Sequence, residues 1–350
     1  MENRITTFVG LDVSDRFTEM CVLDGKGAVV DQDRIRTTKC SLEKRLSKLQ
    51  GARVILEVGT HSRWIAELIG ALGHEVIVAN PRQVRLIWKR RTKTDRSDAL
   101  VLARLGRLDI ELLAPVQHRS RGAQVDLACA RSRDILVRNR SQLICHVRGM
   151  LKPFGHRVRT CTSELFAEEA EAVIPAELLP ALSPVLAVMR VLNEQIVAQD
   201  KQIEELVTTV HPTTARLTQV PGVGSITALA YYLTIEDPAR FKKSRFVASF
   251  LGLVPGKDQS GENDPQQHIT KAGDPFVRKL LVQCAQHILG PLSPDSELKR
   301  WGLALASRGG KNAKKRAVVA VARKLAVLLH RLWLSGAPYQ PLGYGQAPTG

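Results

Sequence analysis

Five short runs of apolar and β-branched residues fall within the first 80 positions, and that spacing admits little besides a sheet. Residues 7–13, 18–23 and 28–35 follow one another closely, with Asp24-Gly25-Lys26-Gly27 as a hairpin signal between the second and third. Val54-Ile55-Leu56-Glu57-Val58 and Glu75-Val76-Ile77-Val78-Ala79 have the length of central strands, and Asn80-Pro81 ends the second. Between them Trp64, Ile65, Leu68, Ile69 and Leu72 recur at helical spacing, and Gly73 stops that helix. Ser41 is the candidate N-cap of a helix over 42–49, with Glu43 in its first turn. Three antiparallel strands followed by strand–helix repeats predict an α/β mixed sheet flanked by helices.

After Asp95 the helical period takes over. Helices are predicted over about 97–108, 122–151 and 185–210. The last repeats in a 3-4 rhythm through Met189, Leu192, Ile196, Gln199, Ile203, Leu206 and Val210. Such a seam suits a coiled-coil arm between copies, and equally one helix of a bundle within the chain. His211-Pro212 closes it, and a mainly α-helical region with Gly- and Pro-rich turns follows. The expected organisation is a catalytic domain over 1–118, a helical linker and arm over 119–212, a second domain over 213–335, and a disordered tail over 336–350.

Charge narrows the partners. Lys and Arg number 51 against 34 Asp and Glu, a net +17, which points to a polyanion such as nucleic acid. Aromatic residues are 5%, too few for binding that relies on stacked single-stranded bases. The six cysteines are far apart and form no zinc-ligand spacing, which fits a reducing cytoplasm. No uninterrupted apolar run approaches a membrane span, and the N-terminus lacks a secretory pattern. A nucleoid-associated cytoplasmic protein is therefore expected, with no membrane contact.

In so basic a chain, carboxylates at the ends of buried strands need a reason. Asp12 follows an apolar run, Glu57 sits inside one, and Asp95 and Asp98 are three residues apart. If Asp95 opens a helix, the pair shares one face, roughly 5–6 Å apart at Cβ. Four carboxylates converging on one point would hold two Mg²⁺ ions for phosphodiester chemistry. Plainer readings stand beside this one: Asp12 ending a strand, Asp95 capping a helix, Asp98 pairing on a solvated face. Glu57, bracketed by Ile55-Leu56 and Val58, has few plain readings. Asp15, Asp24 and Asp109 read as surface residues.

Val9-Gly10-Leu11-Asp12-Val13-Ser14, Leu56-Glu57-Val58-Gly59-Thr60 and Lys93-Thr94-Asp95-Arg96-Ser97-Asp98-Ala99 resemble the DEDD transposases of the insertion-sequence family numbered one hundred and ten, relatives of the Piv-type invertases. The resemblance implies a RuvC-like, ribonuclease-H-type fold with Asp12, Glu57, Asp95 and Asp98 as the metal-binding tetrad, for Mg²⁺ or Mn²⁺. Phe250-Leu251-Gly252-Leu253-Val254-Pro255 and residues 268–281 resemble the family's second domain, in the same order. There the family's nucleophilic Ser matches Ser260. A Ser followed by Gly on a polar loop is exposed and mobile, but its hydroxyl needs a base or a metal for activation.

Val220-Pro221-Gly222-Val223-Gly224 looks like the hairpin of a helix-hairpin-helix motif, with Gly222 and Gly224 letting backbone N–H groups approach phosphate. An ordinary turn between helices is the alternative. Lys271, Arg278 and Lys279, then Arg308, Lys311, Lys314, Lys315 and Arg316 in a segment with no acidic residue after Glu297, are candidate phosphate contacts. The expected function is a DNA transposase or site-specific recombinase working through a Ser–DNA intermediate. The resemblance further implies an element-encoded guide RNA and a dimer or tetramer. The alternative is a metal-dependent RuvC-like nuclease or junction resolvase with water as nucleophile. An architectural or RNA-binding protein with a vestigial tetrad ranks below both.

Overall fold

A computed structural model describes residues 5–87, 95–261, 263, 265 and 267–342, and the chain divides into two compact units at His118/Arg119. In the first unit β1 (Phe8–Val13), β2 (Phe17–Leu23) and β3 (Val29–Arg36) form an antiparallel meander. The turn between β2 and β3 is closed by Asp24, whose carboxylate accepts from the Lys26 and Ala28 amides at 2.9 Å. β4 (Arg53–Glu57) lies parallel to β1, and β5 (Glu75–Ala79) parallel to β4. Parallel neighbours need crossovers, which α1 (Lys39–Leu46) and α2 (Ser62–Ala71) supply. The sheet order is β3-β2-β1-β4-β5, a mixed sheet with flanking helices, as expected. α1 begins and ends three residues before its predicted bounds. Thr38 is the cap, its hydroxyl accepting from the Ser41 amide, so Ser41 lies inside the helix.

Strand alternation divides the core into two layers. Val9, Leu11, Val54 and Leu56 face one way and pack with Leu42 and Leu46 of α1 and Ile65 and Ile69 of α2. Phe8, Cys21, Leu23 and Ile55 face the other way, onto α4 (Asp95–Leu108), which follows α3 (Pro81–Ile87) in the chain. α4 lies against β1 at backbone contact: a Cβ on Gly10 would come within 1.9 Å of the Ala99 carbonyl oxygen.

The second unit is helical: α5 (Arg121–Leu151), α6 (Phe166–Glu171), α7 (Leu179–Glu205), α8 (Ser225–Ile235), α9 (Arg245–Phe250), α10 (Pro275–Leu289), α11 (Glu297–Ala306) and α12 (Ala313–Ser335). α7 starts six residues before its predicted start. Pro184 lies inside its second turn, where the missing N–H forfeits one bond near the helix start. The seam Leu182, Met189, Ile196 and Ile203 is buried. α5 and α7 pair antiparallel within the chain through Cys129–Gln199, Arg133–Asp200 and Arg140–Asn193. That is the bundle alternative, and Val210, the last member of the predicted rhythm, is exposed. With the turn that follows it, this stretch is the one helix among the described residues long and apolar enough to cross a membrane. Arg190 and Glu194 interrupt its apolar run, so the sequence alone does not read as a span there.

α8, α10 and α12 make the second core around Tyr231, whose hydroxyl donates to the Ala326 carbonyl at 2.6 Å. Residues 336–342, expected to be disordered, are tied down instead. The Tyr339 amide donates to Gln219, and the Pro341 carbonyl accepts from the Glu297 amide. Residues 343–350 lie outside the described set.

Candidate active site

Asp12 is the penultimate residue of β1, and Glu57 is the last of β4. The two strands are parallel neighbours, and their register runs to Leu11↔Leu56, one step before the two carboxylates. By alternation Asp12 shares the face of Phe8 and Gly10, and Glu57 that of Ile55. This is the face α4 covers. α4 runs antiparallel to β1: Ala99 meets Gly10, while Arg107 further on lies against Gly27 in the β2–β3 turn, at the end of the sheet where β1 starts. Its first turn, with Asp95 and Asp98, therefore points to the strand ends that carry Asp12 and Glu57. Acidic residues in a first helical turn also complement the helix dipole. Asp95 is exposed and the other three are half-buried.

Four carboxylates on three elements thus share one face and one end of the sheet. Among the described residues no group of three or more His, Cys, Asp and Glu side chains is placed to hold a metal ion, so the expected convergence on one point is not present in this structure. The donor set itself fits a hard divalent ion, being all carboxylate oxygen in a chain of net +17.

Two loops continue from these strand ends. Asp15 lies in the turn after β1, and Gly59-Thr60-His61 follows β4. Ser62 folds that second loop back, its hydroxyl donating to the Gly59 carbonyl at 2.8 Å and accepting from the Gly59 amide at 3.1 Å. The loops meet where His61 Nε2 lies 3.1 Å from Asp15 Oδ1, and Trp64 Nε1 donates to His61 Nδ1 at 3.1 Å. Asp15 is on the surface, as expected, and no feature of the sequence analysis marks its contact with His61. The signal available was their spacing, three residues past Asp12 and four past Glu57.

In the second unit Ser260 sits near the tip of a hairpin. Gly256 pairs with His268, Thr270 with Val254, and Ser260 with Asn263 through both backbone bonds at 3.1 Å. Gly261 takes φ +57 beyond it. His268 stands opposite Gly256 rather than beside Ser260. The hairpin base is fixed. A Cβ on Gly252 would lie 2.3 Å from the Ala272 amide, and one on Gly273 2.0 Å from the Phe250 carbonyl oxygen. Asp274, with a 5% exposed side chain, caps α10 and receives Arg119 and Arg131 at 2.8 and 2.6 Å.

The candidate phosphate contacts divide in two. Arg278 donates to the Leu251 and Gly273 carbonyls at 3.1 and 3.0 Å, and Lys279 pairs with Asp134, so both bind within the fold. Lys271 is exposed in the left-handed region, φ +53. Arg308 and Lys311 lie exposed between α11 and α12, and Lys314, Lys315 and Arg316 are exposed in the first turn of α12. Cations at a helix N-terminus oppose its dipole, and an anion there relieves that opposition. Gly222, φ +87, and Gly224 form the turn before α8, beside a cleft of about 440 Å³ that Thr227, Gln283 and His287 also line.

A mixed sheet of this order, with acidic residues at parallel strand ends and on the helix facing them, defines a RuvC-like domain, here joined to a helical second domain. Comparison with known proteins gives the family. A model for the DEDD transposases of IS110 type matches residues 9–155, and one described as the transposase IS116/IS110/IS902 family matches 214–297. The chain is 28% identical over 333 residues to the transposase for insertion sequence element IS1111A of Coxiella burnetii, covering 93% of this chain and 88% of that protein. It is 27% identical over 325 residues to the transposase for IS1328 of Yersinia enterocolitica, covering 91% and 94%. The pilin gene-inverting protein of Moraxella bovis is 23% identical, covering 82% and 81%. The chain is a transposase, an enzyme that cuts and rejoins DNA, and is similar in both of its units to the IS110-type DEDD transposases.

Proposed function

We propose that this transposase recombines the ends of its mobile element through a covalent Ser260–DNA intermediate, with Asp12, Glu57, Asp95 and Asp98 as its divalent-metal site. The observation that carries this reading is the convergence of β1, β4 and the first turn of α4 on one end of the sheet. Ions of the Mg²⁺ or Mn²⁺ class held by these four carboxylates would lower the pKa of an attacking hydroxyl and would offset charge on the leaving oxygen. The four carboxylates gather oxygen ligands at one end of the sheet in a chain of net +17 and would direct such ions to the strand ends. Ser260 Oγ forms a bond to phosphorus as the bond from phosphorus to the deoxyribose oxygen breaks, and the one proton released by the serine hydroxyl is matched by the one the leaving oxygen takes up. Rejoining reverses this: another strand's hydroxyl attacks the phosphoserine and Ser260 is released. The phosphate bond count is conserved, so no external energy source is needed.

The exposed cations from Arg308 to Arg316, with Lys271 and the Gly222–Gly224 turn, hold the nucleic acid backbone. We include in the proposal an element-encoded guide RNA, a dimer or tetramer in which the tetrad and Ser260 of different copies act together, and a place in the cytoplasm on the nucleoid.

The test is adduct trapping on DNA taken from the flanks of the gene, with the transcript of those flanks and Mg²⁺. Wild type is expected to give a denaturation-resistant adduct at Ser260. Each tetrad alanine variant is expected to bind DNA, remain folded and give no cleavage. Cleavage by Ser260→Ala at the wild-type rate would make water the nucleophile and the chain a nuclease. Wild-type cleavage by any two tetrad variants would remove the metal site.

A further inference from the structure

The Trp64–His61–Asp15 chain lies at the same sheet end as the proposed metal site but is no part of it. Its protonation pattern follows from its partners. An indole N–H can only donate, so His61 Nδ1 carries no proton and accepts from Trp64 at 3.1 Å. The proton of the neutral ring is therefore on Nε2, directed at Asp15 Oδ1, 3.1 Å away. Trp64 is itself held by the core beneath α2, and its ring meets that of His61 edge-on at 6.1 Å. His61 thus has one fixed tautomer, one fixed ring orientation and one N–H facing outward.

What it faces is informative. The His61 side chain is 28% exposed and that of Asp15 93%. A pair with so exposed a carboxylate contributes little to stability and is exchanged readily for another acceptor. A phosphodiester presents the same kind of acceptor, an anionic oxygen. It must approach this end of the sheet if the strand-end carboxylates are to act on it. From these placements we infer that His61 is a catalytic hydrogen-bond donor: its Nε2–H leaves Asp15 and binds a non-bridging oxygen of the scissile phosphate. The inference rests on the tetrad being the cutting site. No proton is transferred. The donor stabilises the charge that builds on the phosphoryl oxygens, while Trp64 prevents the ring from turning away.

The experiment uses the full chain and DNA from its gene flanks, with single-turnover cleavage and equilibrium binding measured separately. His61→Ala is expected to bind DNA as wild type does and to cleave roughly 100-fold more slowly, the usual size for one such donor. His61→Gln, whose amide N–H can replace Nε2–H, is expected to recover most of that loss. The decisive substrate carries a methylphosphonate at the scissile linkage, each isomer separately. For one isomer wild type and His61→Ala should cleave at equal rates, because the acceptor has already been removed, while the other isomer keeps the gap.

A gap of the same size for both isomers, or an equal loss in Asp15→Ala, would make the pair a strut between two loops and overturn the proposal. Cleavage by His61→Ala within about threefold of wild type would overturn it too, with Asp12→Ala inactive showing that the tetrad reading stands. Wild-type cleavage by Asp12→Ala would instead place the failure in the tetrad.

Discussion

Asp12 and Glu57 stand at the ends of neighbouring strands pressed against a helix at backbone contact, whereas Ser260 stands near the tip of a hairpin fixed only at its base. In the first unit Gly10 and Gly106 remove the side chains that would keep α4 off the sheet, so the carboxylates inherit a rigid frame. In the second, Gly252, Gly273, Arg278 and Asp274 secure the hairpin where it leaves the helices, and among the described residues nothing lies within 4 Å of a Cβ placed on Gly261. The contrast suits the proposed chemistry. Metal ligands must hold their spacing through the reaction. A nucleophile that becomes joined to DNA must approach one phosphate and then retreat as strands are exchanged.

The contrast breaks most directly at Gly10. In Gly10→Val the added Cβ would lie 1.9 Å from the Ala99 carbonyl oxygen and 2.7 Å from the Ala103 amide, both backbone atoms that cannot step aside. α4 must leave β1, taking Asp95 and Asp98 with it. The expected loss is roughly 4 kcal/mol or more in denaturant unfolding of the first unit, with cleavage abolished. A loss below about 1 kcal/mol would mean that α4 is not seated as described.

A smaller effect sharpens the comparison in the second unit, whose packing includes a titratable group. His330 is fully buried, its Nε2–H donating to the Pro238 carbonyl at 2.9 Å while Nδ1 accepts from the Ser244 hydroxyl at 3.0 Å. Burial pushes this imidazole below its usual range. The unfolded chain takes up a proton as pH falls through about 6.5, and the folded chain resists until the pH is lower. Stability of the second unit is therefore expected to fall as pH is lowered through that window and to be fully present above it. Hydrogen exchange in α12 between pH 7.5 and 5.5, corrected for intrinsic rates, should show this protection loss, and His330→Gln should flatten it. In the first unit His118 is held down by burial and then by the Arg63 charge, so the single substitution separates the two units.

What was legible in the sequence followed from local period. The strands begin and end within a residue or two of the apolar runs, because alternation and turn chemistry act over a few residues. The helix from about 97 was legible in its period, but it begins two residues earlier, at Asp95, which the sequence left open between a cap and a helical residue. The heptad seam was legible as a pattern but not as a partner, since burying every seventh residue against α5 or against another copy leaves the same trace. Ser41 misled because Thr38, three residues earlier, is an equally good cap and the tertiary start of α1 chose it. The His61–Asp15 contact spans 46 residues, and the Asp274–Arg119 pair 155, so no local rule could place either.

The finest test of the contrast lies at Gly261, beside Ser260. A Cβ there meets nothing within 4 Å among the described residues, so the expected cost of Gly261→Ala is that of the left-handed φ +57. That is about 1 kcal/mol in the unfolding of the second unit. The chain can avoid even this by letting the tip relax, because the hairpin is held at Gly252 and Gly273 rather than at its turn. DNA binding is expected to stay at the wild-type level, and adduct formation to slow, since the relaxed tip presents Ser260 Oγ less often in line with the phosphate. The same substitution at Gly252 should cost far more, because its Cβ would meet the Ala272 amide at 2.3 Å. If Gly261→Ala proved as costly as Gly252→Ala, the tip would be packed as firmly as the base, and the distinction between fixed ligands and a free nucleophile would fail.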